Sequence, residues 1–310
     1  MKIKMISTSV LSLCLMTVSL TGCGSNNDME GNQNTGEGNT SGVIPDNTDS
    51  GKNNTSTPDD TGNTDPSASP ASWNLIFEDN FEGNDSIPDT SKWTLAPQGD
   101  DTWNRYMSES YGQAYQKDGY LYLFGMMNNG EYLTGGIETR DKFDFKYGQV
   151  KCRARFLRQP KGNHTGIWMM PEPPAEKWPM SGEIDIMEHL GDDDIVHETV
   201  HNWWADELDN GNDPMATATA SVDNYEFNVY GLIWDENSIS FTVNGEVQFT
   251  YENLNLEGED SFYQWPYIKP FYLILSQSLG GKGTWAGEID DKELPAIFQI
   301  DWIKVWQKAE

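Results

Sequence analysis

Residues 178–189 read Trp-Pro-Met-Ser-Gly-Glu-Ile-Asp-Ile-Met-Glu-His and place three carboxylates, Glu183, Asp185 and Glu188, in one short run. The interleaved Ile184, Ile186 and Met187 give the run the apolar content of a strand. Side chains alternate faces along a strand, so Glu183 and Asp185 share one face and Ile184 and Ile186 the other. Unbroken alternation puts Glu188 on the aliphatic face, where a lone carboxylate is costly. One extra residue in a β-bulge, at Met187 or a neighbour, returns Glu188 to the face of the other two acids.

Carboxylates gathered in this way suit hydrolysis of a glycosidic bond. The outer pair is about 13 Å apart at Cα, and two glutamates leaning together bring their carboxyl groups to about 5 Å, the separation of a retaining glycosidase. One acid then attacks the anomeric carbon; the other protonates the leaving oxygen and later activates water. Asp185, between them, is placed to hydrogen-bond the nucleophile, and nearby negative charge helps keep the acid protonated. A solvated acidic strand face or a calcium site would draw on the same residue types.

Elements able to hold such a run are expected from Trp73 onward, where short alternating or apolar segments separated by turn residues predict an all-β sandwich. Strands are expected over 75–77, 120–124, 149–157, 166–170, 182–190 and 271–278. The clearest hairpin joins Ser238–Val243 to Glu246–Tyr251 through Asn244-Gly245, a pair suited to the positive φ angles of a type I′ turn. No stretch has sustained helical periodicity, and no solenoid-length repeat is present.

The first residues are of another kind. A basic start at Lys2 and Lys4, an apolar run from Met5 to Leu20 too short to span a membrane comfortably, and Leu20-Thr21-Gly22-Cys23 predict a signal segment over 1–22. Its end resembles a bacterial lipobox, so Cys23 is expected to carry a lipid that tethers an extracytoplasmic, membrane-anchored lipoprotein. Residues 23–72 are rich in Asn, Gly, Thr, Ser, Asp and Pro and predict a disordered linker ahead of a catalytic domain over 73–310. Cys152 then remains as the one thiol of the mature chain, in a strand pattern that turns it to the core. The net charge of −29 excludes nucleic acid as a partner and suits a neutral polymer or simple solubility.

Trp178-Pro179, Gly182 and Glu183-Ile184-Asp185-Ile186-Met187-Glu188 resemble the active-site motif of glycoside hydrolase family 16 in its bulged E-x-D-x-x-E form. Asp79-Asn80-Phe81, residues 142–148, 166–171, 227–234 and 301–307, and Val200-His201 extend the likeness over nearly all of 73–308. The resemblance implies a β-jelly-roll sandwich with a concave substrate groove, with Glu183 as nucleophile, Asp185 as its assistant and Glu188 as acid/base. It also implies sugar contacts from Trp178, Trp168 and Trp103, although Trp168 fits a core strand as well. His201 matches a family histidine near the reaction centre or serves as a hydrogen-bonded structural residue. Asn104, Arg105 and Gln277 stand where relatives have groove residues. No catalytic cofactor is implied; a structural Ca2+ on the convex side would use Asn80 and Asp301.

The bulged form is similar to that of laminarinases, mixed-linkage β-glucanases and red-algal galactanases. Trp178-Pro179 and the lack of an Arg or Lys cluster near the motif favour a neutral β-glucan. The resulting expectation is a monomeric endo-β-1,3(4)-glucanase acting by double displacement. An endo-hydrolase of agarose or porphyran and a non-catalytic surface glycan-binding lipoprotein are the alternatives.

Overall fold

The computed structural model describes residues 72–173 and 175–309. The expected signal segment, Cys23 and the linker up to residue 71 lie outside the described residues. The strands, in chain order, are β1 (Trp73–Asp79), β2 (Thr94–Leu95), β3 (Ala114–Lys117), β4 (Tyr120–Asn128), β5 (Glu131–Glu138) and β6 (Asp144–Phe145). There follow β7 (Gly148–Arg158), β8 (Asn163–Pro171), β9 (Glu183–Leu190), β10 (Ile195–His201) and β11 (Thr217–Ser221). The last are β12 (Asn228–Trp234), β13 (Ser238–Val243), β14 (Glu246–Glu252), β15 (Phe271–Leu279) and β16 (Ala296–Lys308). Two short helices, α1 (Trp203–Asp206) and α2 (Glu259–Gln264), interrupt them.

Every strand pairing is antiparallel, along the path β11–β10–β9–β8–β15–β5–β4–β16–β7–β12–β13–β14. The path folds over at β5: Glu131–Thr134 pair with β4, and Gly135–Glu138 with β15. The turnover depends on glycine, because a Cβ on Gly135 would stand 1.9 Å from the Gln113 carbonyl oxygen.

The two halves close on one core. Ile167, Ile184, Ile186, Met187, Leu273 and Leu275 come from one side, and Val150, Phe156, Leu232, Trp234, Phe298 and Ile300 from the other. Each such side chain contributes about 1.5–3 kcal/mol of burial. Cys152 lies in this core, as its strand pattern implied. Alternation turns the intervening residues outward: Trp168, Tyr272 and Ile274 form a second cluster, with Trp103 and Met170 against it. This outward face of β8, β9, β10 and β15 carries the acids.

Candidate active site

The bulge falls at Ile186. On one side of β9, Ile167 faces Met187 while Trp168 faces Asp185, leaving Ile186 without a partner. On the other, His197 faces Glu188 and Thr199 faces Asp185, so Glu198 alone spans Ile186 and Met187. Ile186 and Met187 are therefore both sunk in the core, and Glu183, Asp185 and Glu188 emerge on the outward face. Gly166 stands opposite Glu188. A Cβ there would lie 2.9 Å from Trp168 Cδ1, so glycine leaves room for the indole, whose Nε1 donates to Ser276 Oγ at 3.1 Å.

Glu183, Asp185 and His201 bring ligand-type atoms within 4.8 Å of one another. Trp178, 48% exposed, donates its Nε1–H to Glu183 Oε2 at 2.7 Å and has its ring 5.7 Å from that of His201. Helix α1 secures the histidine. Asn202 caps it by accepting from Ala205 N at 2.8 Å, and the turn delivers Asp206 Oδ1 to His201 Nδ1 at 2.9 Å. His201 Nε2 lies 3.4 Å from Asp185 Oδ2. Burial alone would lower the His201 pKa, but the Asp206 hydrogen bond and the charges of Glu183, Asp206 and Glu188 raise it to about 9. A pKa of about 9 favours the imidazolium form of His201 at neutral pH.

Asp185 is buried, and among the described residues neither of its oxygens has a well-aligned hydrogen bond. Burial, then the charges of Glu188 and Glu183, push its pKa well above the carboxylate range. Burial also raises Glu183, while His201, Trp178 and Asp185 pull it back toward the ionised form. Glu188 acts on this network through its charge, while its Oε1 lies 3.2 Å from His164 Nε2. The arrangement supplies one carboxylate surrounded by donors and another with a single histidine partner.

Other expected contacts distribute unevenly. Trp103 and Trp168 meet edge to face at 4.8 Å on the outward face, with Trp168 nearly covered. Arg105 acts as a strut, donating from Nη2 to the Gly280 carbonyl at 2.8 Å. Asn104 is a correction: it is buried, and its Oδ1 accepts from Asp101 N at 3.1 Å, closing its own loop. Gln277 is another. It shares the parity of Leu273 and Leu275, so it points into the sandwich, where it bonds Asn163 at 2.8 Å and Thr165 at 2.9 Å. Of the two residues expected to hold calcium, Asp301 is ion-paired with Arg153, and Asn80 offers an amide carbonyl.

Sequence reasoning passed over His164, Asp206 and Trp285. A signal existed for the first: all four histidines of the chain, His164, His189, His197 and His201, fall on the three strands around the acids.

Residues 103–304 match the family model described as glycosyl hydrolases family 16. The keratan-sulfate endo-1,4-β-galactosidase of Sphingobacterium multivorum is 36% identical over 244 residues, which span 76% of this chain and 55% of that protein. A solved structure from work on endo-acting O-glycanases with which human gut bacteria initiate mucin breakdown superposes with a TM-score of 0.68 at 31% identity, covering 76% of this chain and 99% of the other. The laminarinase of Rhodothermus marinus superposes with a TM-score of 0.68 at 28% identity, covering 77% and 98%. The all-β sandwich is jelly-roll-like in the same way as these neighbours.

Proposed function

Since this chain belongs to glycosyl hydrolases family 16 and supports glycoside hydrolase activity, we propose that it is an endo-acting, retaining enzyme with Glu183 as nucleophile and Glu188 as acid/base. The bulge at Ile186, which turns both glutamates to one face, is the observation that carries this reading. The Glu183 carboxylate attacks the anomeric carbon as the bond to the leaving oxygen breaks, and Glu188 gives that oxygen its proton. Glu188 then takes a proton from water, the water oxygen bonds the anomeric carbon, and Glu183 departs. Asp185 and the His201 imidazolium orient the Glu183 carboxylate for the first displacement and receive it again as the second releases it.

For the substrate, the reading moves from a β-glucan toward an internal β-galactosidic bond of a keratan- or mucin-type glycan. The relatives that support it are the galactosidase at 36% identity and the O-glycanase structure at 31%. Cleavage of β-1,3 or mixed-linkage glucan is the second reading, supported by the laminarinase at 28%. The lipid on Cys23 would tether the enzyme outside the cytoplasm, with the linker giving it reach toward a bulky polymer.

One experiment addresses both parts. Wild type and Glu183→Ala are incubated with keratan sulfate, mucin O-glycans, agarose, laminarin and barley β-glucan; product sizes are read by chromatography and the first-formed anomer by NMR. The proposal expects internal cuts with retained configuration by wild type and none by the variant. Inverted product, or unchanged turnover by Glu183→Ala, overturns it.

A further inference from the structure

Around Glu188 a second pair of side chains is assembled that the double displacement above does not use. His164, on β8, is only 5% exposed, yet its Nε2 reaches Glu188 Oε1 at 3.2 Å. Its Nδ1 is buried with no hydrogen-bond partner among the described residues. With Nδ1 unpartnered, the contact that fixes the ring is the one its Nε2 makes to Glu188. What covers the imidazole is Trp285, whose ring stands 4.6 Å away, edge-on, while 57% of the residue remains open to solvent.

Trp285 is held by a tight loop and not by chance. Gly281 N donates to Gly287 O at 2.7 Å, Thr284 Oγ1 to Gly281 O at 2.8 Å, and Gly280 N to Gly162 O at 2.8 Å. Arg105 fastens the base of the loop through the Gly280 carbonyl. A large indole fixed in an exposed position has the form of a stacking surface for a pyranose ring.

We propose that His164 is the positioning residue for Glu188, donating from Nε2 to fix the acid/base carboxyl, and that Trp285 shields this pair from water while presenting its outer face to the sugar chain. This rests on Glu188 being the acid/base. Proton delivery contributes about 10²–10⁴-fold to glycosidic cleavage, and it depends on the carboxyl lying within hydrogen-bond reach of the leaving oxygen. A carboxyl held at one oxygen keeps the other free for that task.

The test is a comparison of kcat/KM on two substrates: the polysaccharide that wild type cleaves, and the 2,4-dinitrophenyl β-glycoside of its repeating disaccharide, whose leaving group departs without a proton. His164→Phe keeps the ring and loses the donor; it should lose about 100-fold on the polysaccharide and less than about threefold on the activated glycoside. His164→Gln, which restores an N–H, should recover part of the loss, and thermal melts of both variants establish that they fold. Trp285→Ala should raise KM on the polysaccharide more than it lowers kcat. Equal losses of His164→Phe on both substrates, or none on either, overturn the role of His164. Glu188→Ala is the reference: if it too shows no split between the substrates, the assignment of Glu188 falls, and the inference with it. A split in Glu188→Ala without one in His164→Phe removes His164 alone.

Discussion

The indole N–H of Trp178 sits 2.7 Å from Glu183 Oε2, although the tryptophan precedes the glutamate by only five positions and is half exposed. The turn between them makes this possible, with Met180 N bonded to Lys177 O and Gly182 N to Pro179 O. A donor to an ionised group is worth about 1.5–3 kcal/mol. Trp178→Phe, which keeps an aromatic face and loses the N–H, should therefore lower kcat by about 10- to 100-fold and leave the melting temperature nearly unchanged. Steady-state kinetics beside a thermal melt check both halves.

His201 gives a prediction on pH. Its folded pKa of about 9 lies above the ordinary 6.5, so its charged form is favoured by folding; that contribution is complete below about pH 6.5 and fades as pH rises through 9. Asp206→Asn removes the hydrogen bond that does most to raise it. The alkaline limb of the pH–kcat profile should shift toward neutrality, with activity at pH 8.5 falling about tenfold. An NMR titration of the His201 ring in both proteins reads the same change directly.

Much of this could be seen in the chain before its coordinates. The need for a bulge followed from parity alone, since Glu188 falls out of step with Glu183 and Asp185; that Ile186 is the unpartnered residue is set by its neighbours Ile167 and Trp168, which no local rule names. The Asn244-Gly245 hairpin is present with φ of 53° and 87°, because turn chemistry is local. Gln277 was misplaced although its parity was legible: Phe271, Leu273 and Leu275 lead to it in steps of two, and the polar run Ser276-Gln277-Ser278 hid the count. The His164–Trp285 contact joins a strand to a distant loop, and the Asp206–His201 bond relies on a one-turn helix too short to leave a period in the sequence.

The bulge itself can be challenged by removing it. Deletion of Met187 converts the motif to Glu-Ile-Asp-Ile-Glu, in which strict alternation puts all three acids on one face. The variant should fold, with a loss of about 2–5 kcal/mol for the missing core side chain, and should retain measurable hydrolysis. Deletion of Ile184 instead breaks the step between Glu183 and Asp185 and should abolish activity. Chemical denaturation and the reducing-end assay separate the two.

Behind the same bulge lies Glu198, fully buried on the core face of β10 with neither carboxyl oxygen hydrogen-bonded among the described residues. Burial raises its pKa from 4.5 to about 7. For an acid shifted upward, the sign is the reverse of the usual carboxylate. The folded state keeps its proton, so the contribution is whole below about pH 4.5 and is lost as pH climbs through 7. The loss amounts to about 3 kcal/mol at most. Because Glu198 spans Ile186 and Met187, ionisation puts charge against the residues that turn Glu188 outward. Glu198→Gln is neutral at every pH and close in shape. It should match wild type at pH 5 and exceed it by several degrees in melting temperature at pH 8.5. Parallel melting curves for the two proteins across that range would show a carboxyl that stays ionised, or finds a partner, throughout.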